Sequence, residues 1–281
     1  MVMCCKVSAV AAMALLAATA TPAAPLTLEG TLTQGALVVG RTEPGAAVAL
    51  DDRPVRVSRD GVFLIGFGRD AGDRADLLIT HPDGSMTRRP LRVVKRNYRI
   101  QSVDGLPARK IEPLPSDQRR IRAEAELVQQ ARHRDDPRSD FLSGFIWPLH
   151  GRITGVFGSQ RILNGVARSP HYGIDIAAPE ETPVVAPADG LVTLVHEDMF
   201  FTGGTLILDH GHGLSSSFLH LSRILVRPGQ AVKQGESVAE VGATGRATGA
   251  HLDWRVNLFD NRLDPALVLE TIPAKRKVSS R

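Results

Sequence analysis

The sequence predicts a mainly β protein with a small N-terminal β-sandwich, an exposed linker helix and a β-rich C-terminal domain. Short stretches of alternating apolar and polar residues, separated by turn residues, fill the chain up to about residue 106 and again from about residue 144. Between them, residues 116–136 contain neither Gly nor Pro. With 281 residues, of which 43% are hydrophobic and 5% aromatic, the chain is long enough for about two globular domains.

Residues 1–24 have the layout of a secretory signal peptide. Lys6 precedes an apolar run over residues 7–18, and small residues follow it. The run is too short for a membrane span, so we expect export to the periplasm and no stable membrane span once the signal is removed; an uncleaved anchor is the alternative. Cys4 and Cys5, the only two cysteines, lie in this segment, so the mature chain would carry no disulfide.

The net charge of the chain places only a weak limit on the classes of partner it could bind. The formal net charge is +4, which permits attraction to anionic cell-wall polymers or lipid headgroups, although plain solubility is the simpler interpretation. No run of Lys and Arg with interleaved aromatic residues is present. We therefore expect no nucleic-acid partner.

Residues 25–106 are expected to form the β-sandwich, because turn signals recur every 8–12 residues along them. Residues 107–143 are expected to be a linker, with a helix over about 116–134. Its apolar positions make only a narrow stripe, and they are Ile121, Ala125, Val128 and Ala131. An exposed helix between two domains fits this pattern, with docking of its arginines as the less favoured alternative.

Residues 144–270 are again β-rich. Gly229, Gly235 and Gly242 separate short strands of Val and Ala, a spacing that recurs in barrel-sandwich hybrid folds. The prediction is therefore a barrel-sandwich-hybrid-like domain. Residues 271–281 form a basic tail that we expect to be frayed.

Three stretches of this C-terminal segment combine His with an informative partner. In "HYGID", His171 and Asp175 share one strand face, but a straight strand would separate them by ~13 Å. Gly173 between them permits a bend that brings them together. In "SSSFLHLS", Phe218 and His220 are expected to share a face, and His220 would then point to a groove.

The third stretch is "TGAHLDWRV", where His251 and Asp253 share a strand face at ~6.6 Å spacing while Leu252 and Trp254 point into the core. Each stretch alone has an ordinary structural interpretation. Together, three His and two Asp in one β segment indicate a mononuclear metal site. Nitrogen and carboxylate ligands without thiolate fit zinc, with two His left for acid–base work.

These stretches, with "WPLHGRITGVFG", "TPVVAPADGLV", "FLHLS" and "TGRATGAHLDW", resemble the lysostaphin/LytM-type zinc metallopeptidases, which cut peptide bonds in bacterial peptidoglycan. The resemblance covers about residues 144–268. It implies that His171 and Asp175 are zinc ligands and that His220 acts in catalysis. In the family's final His-x-His motif the first residue, His251 here, is catalytic and the second ligates zinc.

Asp253 occupies the position of that second His, and this is the main departure from the family pattern. A carboxylate oxygen binds zinc at a distance similar to that of an imidazole nitrogen. Two Asp would formally neutralise the ion, so the bound water should be less acidic than with His. We nevertheless favour an active zinc-dependent peptidoglycan endopeptidase that uses one Zn²⁺, because four of the five family positions are kept and the fifth is another competent ligand.

The alternatives differ in class. The first is a catalytically inactive LytM-type protein that binds the wall or activates an amidase; whether an amidase or a divisome protein is a partner stays open. A sugar-permease phosphocarrier domain is the second, and the export signal argues against it. A biotinyl or lipoyl carrier would need an exposed Lys in a hairpin tip.

Among other residues, His210 could support the site from behind, and Arg161 could line or cover it.

Overall fold

The computed structural model describes residues 26–274. The predicted signal peptide, residues 1–24, and residues 275–281 of the predicted basic tail lie outside this range. The protein is mainly β, as the sequence predicts, and the strands of its described part run in chain order as β1 (Thr27–Glu29), β2 (Leu37–Arg41), β3 (Ala47–Leu50), β4 (Arg53–Val55), β5 (Val62–Gly66), β6 (Arg74–Thr80), β7 (Met86–Arg92), β8 (Ile100–Val103), β9 (Arg152–Gly155), β10 (Gln160–Leu163), β11 (Val166–Ala167), β12 (Ile174–Ala177), β13 (Pro183–Val185), β14 (Gly190–Met199), β15 (Gly203–Asp209), β16 (Leu214–Ile224), β17 (Ala231–Val232), β18 (Ser237–Val241), β19 (His251–Leu258) and β20 (Asn261–Leu263).

The helices of the same range are α1 (Ala108–Ile111), α2 (Gln118–Arg132) and α3 (Pro265–Thr271), with 3₁₀ turns at Pro115–Asp117 and Asp140–Ser143. Within residues 26–274, no helix combines the length and the apolar character that crossing a bilayer requires.

The predicted N-terminal sandwich consists of two antiparallel sheets, one ordered β1-β2-β5 and the other β4-β3-β6-β7. Its core is filled by alternate side chains of both sheets, including Val38, Phe63, Ile65, Leu77 and Ile79. Each of these side chains is at most 1% exposed. The alternation seen in the sequence therefore places one face of each sheet in this core.

Strands β2 and β5 are buried on both faces. While Val38 and Ile65 point into the sandwich, Leu37 and Leu64 belong to the core of the C-terminal segment. Helix α3 packs directly on β2. The sandwich is thus held to the C-terminal segment by a continuous apolar layer, which the alternating pattern alone did not reveal.

The C-terminal segment is built on a ten-stranded sheet. Its main path is β17-β14-β15-β16-β19-β12-β9, with antiparallel pairing throughout, and β13, β18 and β20 pair beside this path. One face carries the core, in which Ile176, Phe218, Leu252 and Trp254 are fully buried. Leu252 and Trp254 point inward as the alternation of "HLDWRV" predicts, so His251 and Asp253 lie on the opposite face.

The connection between the two segments packs against the C-terminal sheet. Helix α2 keeps most of its side chains exposed and lays its narrow apolar stripe on β14 and β15. There Val128 and Ala131 contact Met199 and Ile207. Strand β8 pairs in parallel with β10. The linker therefore borders the same sheet face that carries His251 and Asp253.

Candidate metal centre

Strands β12 and β19 bring two carboxylates together. The antiparallel register sets Asp175 directly opposite Asp253, and Gly155 of β9 lies on the other side of Asp175. Residues paired in this way have neighbouring side chains on one sheet face. Both carboxylates are buried, with Asp175 6% and Asp253 0% exposed, so each needs a positive partner or a metal.

His171 completes the cluster from the loop before β12. Its Nε2 lies 3.0 Å from Asp175 Oδ1 and 3.5 Å from Asp253 Oδ1. The strand begins only at Ile174, after Gly173, so the straight-strand separation of ~13 Å does not apply. The backbone N–H of His171 donates to Ser159 O at 2.8 Å, and its carbonyl accepts from Gly158 N at 2.7 Å. These bonds fix the loop that presents the imidazole.

Two glycines leave room for the carboxylates. A Cβ added at Gly155 would overlap Oδ2 of Asp175, and one added at Gly173 would overlap Oδ1 of Asp253. Both positions therefore require a residue without a side chain. Gly173 thus has two roles: it lets the carboxylate of Asp253 lie close to the backbone, and it allows the chain to bend before the strand.

Each carboxylate is also bound by an arginine. Arg161 donates from Nη2 to Oδ2 of Asp175. Arg255 donates from Nη2 to Oδ2 of Asp253 at 2.5 Å, and from Nε to Oδ1 at 3.0 Å. Oδ1 of each carboxylate is the atom nearest His171. Sequence reasoning missed Arg255, although its position two residues after Asp253 on one strand face was a readable signal.

His220 and His251 lie beside the cluster, with ring centroids 4.8 Å apart. Nδ1 of His220 donates to Thr244 O, and Nδ1 of His251 donates to Gly249 O, each at 2.8 Å. Because a carbonyl only accepts, these bonds place a proton on Nδ1 of each ring, so in the neutral form of either ring Nε2 is the acceptor. Nε2 of His251 lies 3.9 Å from Asp175 Oδ1. The structure thus brings all five sequence-predicted residues into one cluster.

The prediction that Phe218 and His220 share a strand face is wrong. Phe218 is in the core, whereas His220 lines the same groove as its neighbour Leu219. His220 has φ of +65°, the pairing of β16 with β15 shifts register between Phe218 and Leu221, and its pairing with β18 shifts just after Leu221. This bulge breaks the alternation and turns the imidazole out of the core towards the carboxylates.

Charges within the cluster shift the pKa values of its histidines and carboxylates in opposite directions. Burial by itself lowers the pKa of His171, but Asp253 and Asp175 outweigh it and raise that pKa above its usual value. Burial opposes ionisation of Asp253, yet Arg255 and His171 hold its pKa well below the usual range. Burial lowers the pKa of His220 to about 4. The cluster therefore combines two ionised carboxylates with a neutral His220 at pH 7.

The buried donor atoms fit a metal ion. Ligand atoms of His171, Asp175 and Asp253 all lie within 4.8 Å of one another. Within residues 26–274, His171 Nε2 and Asp175 Oδ1 are buried and make no well-aligned hydrogen bond, although they lie 3.0 Å apart. Buried polar atoms are rarely left in this state. One imidazole nitrogen and two carboxylate oxygens form a donor set that zinc accepts, with a fourth position open.

A buried His-Asp-Asp group beside two further histidines on an antiparallel sheet is an arrangement that fits the class of metal-dependent hydrolases. Within that class, the model of peptidase family M23 matches residues 169–265. A crystal structure from Pseudomonas aeruginosa assigned to peptidase M23 superposes with a TM-score of 0.68 at 30% identity, covering 86% of this chain and 96% of that one. The chain belongs to peptidase family M23.

Two curated relatives each match less than half of the chain. An uncharacterised metalloprotease of Haemophilus influenzae is 39% identical over 125 residues, which is 43% of this chain and 26% of the relative. The peptidoglycan DD-endopeptidase ShyB of Vibrio cholerae is 40% identical over 130 residues, which is 46% of this chain and 30% of the relative. The chain thus spans less than a third of the length of these relatives.

Proposed function

We propose that the protein is an exported, zinc-dependent endopeptidase that hydrolyses amide bonds in peptidoglycan stem peptides or cross-links, acting in the periplasm. The observation that carries the proposal is the cluster of His171, Asp175 and Asp253 with His220 and His251 beside it. Membership of peptidase family M23 supports it, as does the similarity to a relative named as a peptidoglycan DD-endopeptidase. Residues 144–270 would be the peptidase domain.

In this proposal His171, Asp175 and Asp253 hold one zinc ion. When bound, zinc in such a set supplies a Lewis acid that polarises an amide carbonyl and acidifies water. Two carboxylates alone would offset the charge of the ion, but Arg161 and Arg255 bond their outer oxygens. The arginines add positive charge beside the centre. Asp253 should therefore weaken the Lewis acidity of the zinc less than a carboxylate without an arginine partner would.

His220 and His251 would handle the proton. An imidazole whose Nε2 is free accepts the proton of the attacking water and later gives it to the leaving amine. Burial disfavours the charged form and lowers the pKa of His220 to about 4. The side chain of His251 is 17% exposed, whereas His220 is 6% exposed. We therefore assign the proton transfer to His251 and a positioning role to His220.

The Asp253 position tests this proposal most sharply. We expect the mature protein to contain about one zinc per chain and to release fragments from purified sacculi. Asp253→Ala should bind zinc at least ~10-fold more weakly, because a metal ligand is lost, whereas Asp253→His should keep the metal. Metal analysis with mass spectrometry of the released fragments measures both effects, and Asp76→Ala, an exposed carboxylate of β6, is the control.

The outcomes separate the proposal from its alternatives. His251→Ala should keep zinc and lose about 10²–10⁴-fold in rate, because it removes the group assigned to proton transfer. Zinc binding by Asp253→Ala as tight as that of the parent would contradict the ligand assignment. A parent that binds zinc and sacculi but releases nothing would instead support a wall-binding or amidase-activating protein.

A further inference from the structure

The groove that His220 and Leu219 line has a volume of about 670 Å³ and leads from the metal centre towards helix α2. Its floor is the outer face of β16 and β19, where Ser217 pairs with Arg255 and Ser215 pairs with Asn257. The wall is the buried side of α2, which contributes Arg132. This helix lies outside residues 169–265, the part of the chain that the family model matches.

The groove is strongly basic. Five arginines line it, and they are Arg132, Arg161, Arg246, Arg255 and Arg262. Arg161 and Arg255 bond the carboxylates of the centre, but the other three have no carboxylate within 4.0 Å in residues 26–274. Glu124 and Asp260, which also line the groove, bond Arg120 and His133 instead. The arginines of the groove therefore outnumber its three carboxylates, Glu124, Asp253 and Asp260, and the nearby Asp253 and Asp260 offset only part of the positive charge.

Polar atoms of the floor and wall also lack partners. Arg132 is 8% exposed, and Asn257 is 0% exposed. Nη2 of Arg132 donates to Ser217 Oγ at 3.1 Å. Within the described range, Nε of Arg132 and both amide atoms of Asn257 bond nothing. Leaving a buried polar group in this state destabilises the fold, so a built site for a polar ligand explains the arrangement.

The electrostatics indicate the sign of that ligand. Burial holds the pKa of Arg132 well below its usual range, the nearby charges of Arg262 and Arg255 lower it further, and Asp253 and Asp260 offset only part of this effect. A buried guanidinium among other arginines is stabilised by an anion. A carboxylate matches the planar donor fork of arginine with two parallel bonds.

We propose that the Arg132–Asn257–Arg262 groove binds a carboxylate of the peptide substrate, a few residues from the bond that is cut. This inference rests on the proposed function for its substrate class. The distance supports it, because Asn257 lies four residues after Asp253 on β19, a span of ~13 Å in a regular strand. An extended peptide covers that span with about four residues.

The experiment compares binding of two probes by the zinc-loaded protein. One is a synthetic peptidoglycan stem peptide with free carboxylates, and the other is the same peptide with its carboxylates amidated. We expect the parent to bind the acidic form about 10-fold or more tightly. Arg132→Gln should remove this preference, whereas Arg122→Gln, an exposed arginine of the same helix, should keep it. Calorimetry measures the affinities without requiring hydrolysis.

A second variant keeps the inference testable if Arg132→Gln fails to fold. Asn257→Asp is nearly isosteric and supplies an internal carboxylate, so it should raise the melting temperature and also abolish the preference. Equal affinity of the parent for both peptides overturns the inference, and so does an Arg132→Gln affinity that matches that of Arg122→Gln. Tight binding of inorganic phosphate without preference between the peptides would overturn the carboxylate assignment. A retained preference in a protein that hydrolyses nothing would contradict only the proposed function.

Discussion

His171 lies just before β12 and His210 just after β15, beside strands of the same ten-stranded sheet, and they are almost equally buried at 1% and 0% exposed. They differ in what their nitrogens contact. Nδ1 of His210 donates to Asp189 O at 2.7 Å, and its Nε2 is 2.8 Å from Ser216 Oγ. Neither ring nitrogen of His171 has a hydrogen-bond partner in the described range. Burial alone therefore does not separate a structural histidine from a ligand.

Their surroundings have opposite effects on charge. Burial lowers the pKa of His210 to about 4, so this imidazole stays neutral and serves the core. The two carboxylates beside His171 raise its pKa despite burial. A cluster that attracts positive charge is one that a cation can fill. A buried histidine whose ring nitrogens make no hydrogen bond, and which lies next to two carboxylates, therefore marks the metal centre.

Replacing His171 should change zinc binding, whereas replacing His210 should change only the stability of the fold. His171→Ala should weaken zinc binding on the order of 100-fold or more, because it removes a ligand. His210→Ala should leave zinc affinity unchanged and lower the free energy of unfolding by about 2–4 kcal/mol, since it opens a cavity and leaves Ser216 and Asp189 unpaired. Competition with a chelator and urea unfolding measure the two effects. Loss of zinc in His210→Ala would show that the two regions are not independent.

The glycines beside the two histidines give a matched pair with a smaller effect. A Cβ at Gly173 would overlap Oδ1 of Asp253, and a Cβ at Gly190 would lie 3.0 Å from His210 Nδ1. We expect both Gly→Ala variants to lose about 1–3 kcal/mol of stability through overpacking. Only Gly173→Ala should also weaken zinc binding, because it displaces Asp253. Equal zinc affinities would contradict the role assigned to Gly173.

Local sequence patterns predicted the sandwich, the helix over about 116–134 and the side of β19 that carries His251 and Asp253, because alternation is a property of neighbouring residues. Helix α3 also had a readable signal, since Asp264 accepts from Ala266 N as an N-cap and Pro265 follows it. The turned-out His220 depends on a bulge set by the partner strands. The reach of Arg132 to Ser217 depends on how α2 docks, which no local pattern encodes.

The smallest expected effect is the pH dependence that His210 imposes on stability. Its pKa is about 4 when folded and about 6.5 when unfolded. The unfolded chain therefore binds more protons between these values, so stability is complete above pH 6.5 and is lost as the pH falls towards 4. For this one group we expect a loss of about 2 kcal/mol between pH 7 and pH 5.

His210→Gln keeps a hydrogen-bonding side chain but cannot titrate, so its free energy of unfolding should be lower than that of the parent at pH 7 and should fall less between pH 7 and pH 5. Urea unfolding of the metal-free protein at both pH values measures the difference, with metal removed so that protonation of the zinc ligands does not compete with binding. The carboxylates with lowered pKa titrate below this window, and His171, whose pKa is raised, acts in the opposite direction in both proteins. Parallel losses in parent and variant would mean that the buried imidazole of His210 does not resist protonation, and the contrast with His171 would then rest on hydrogen bonding alone.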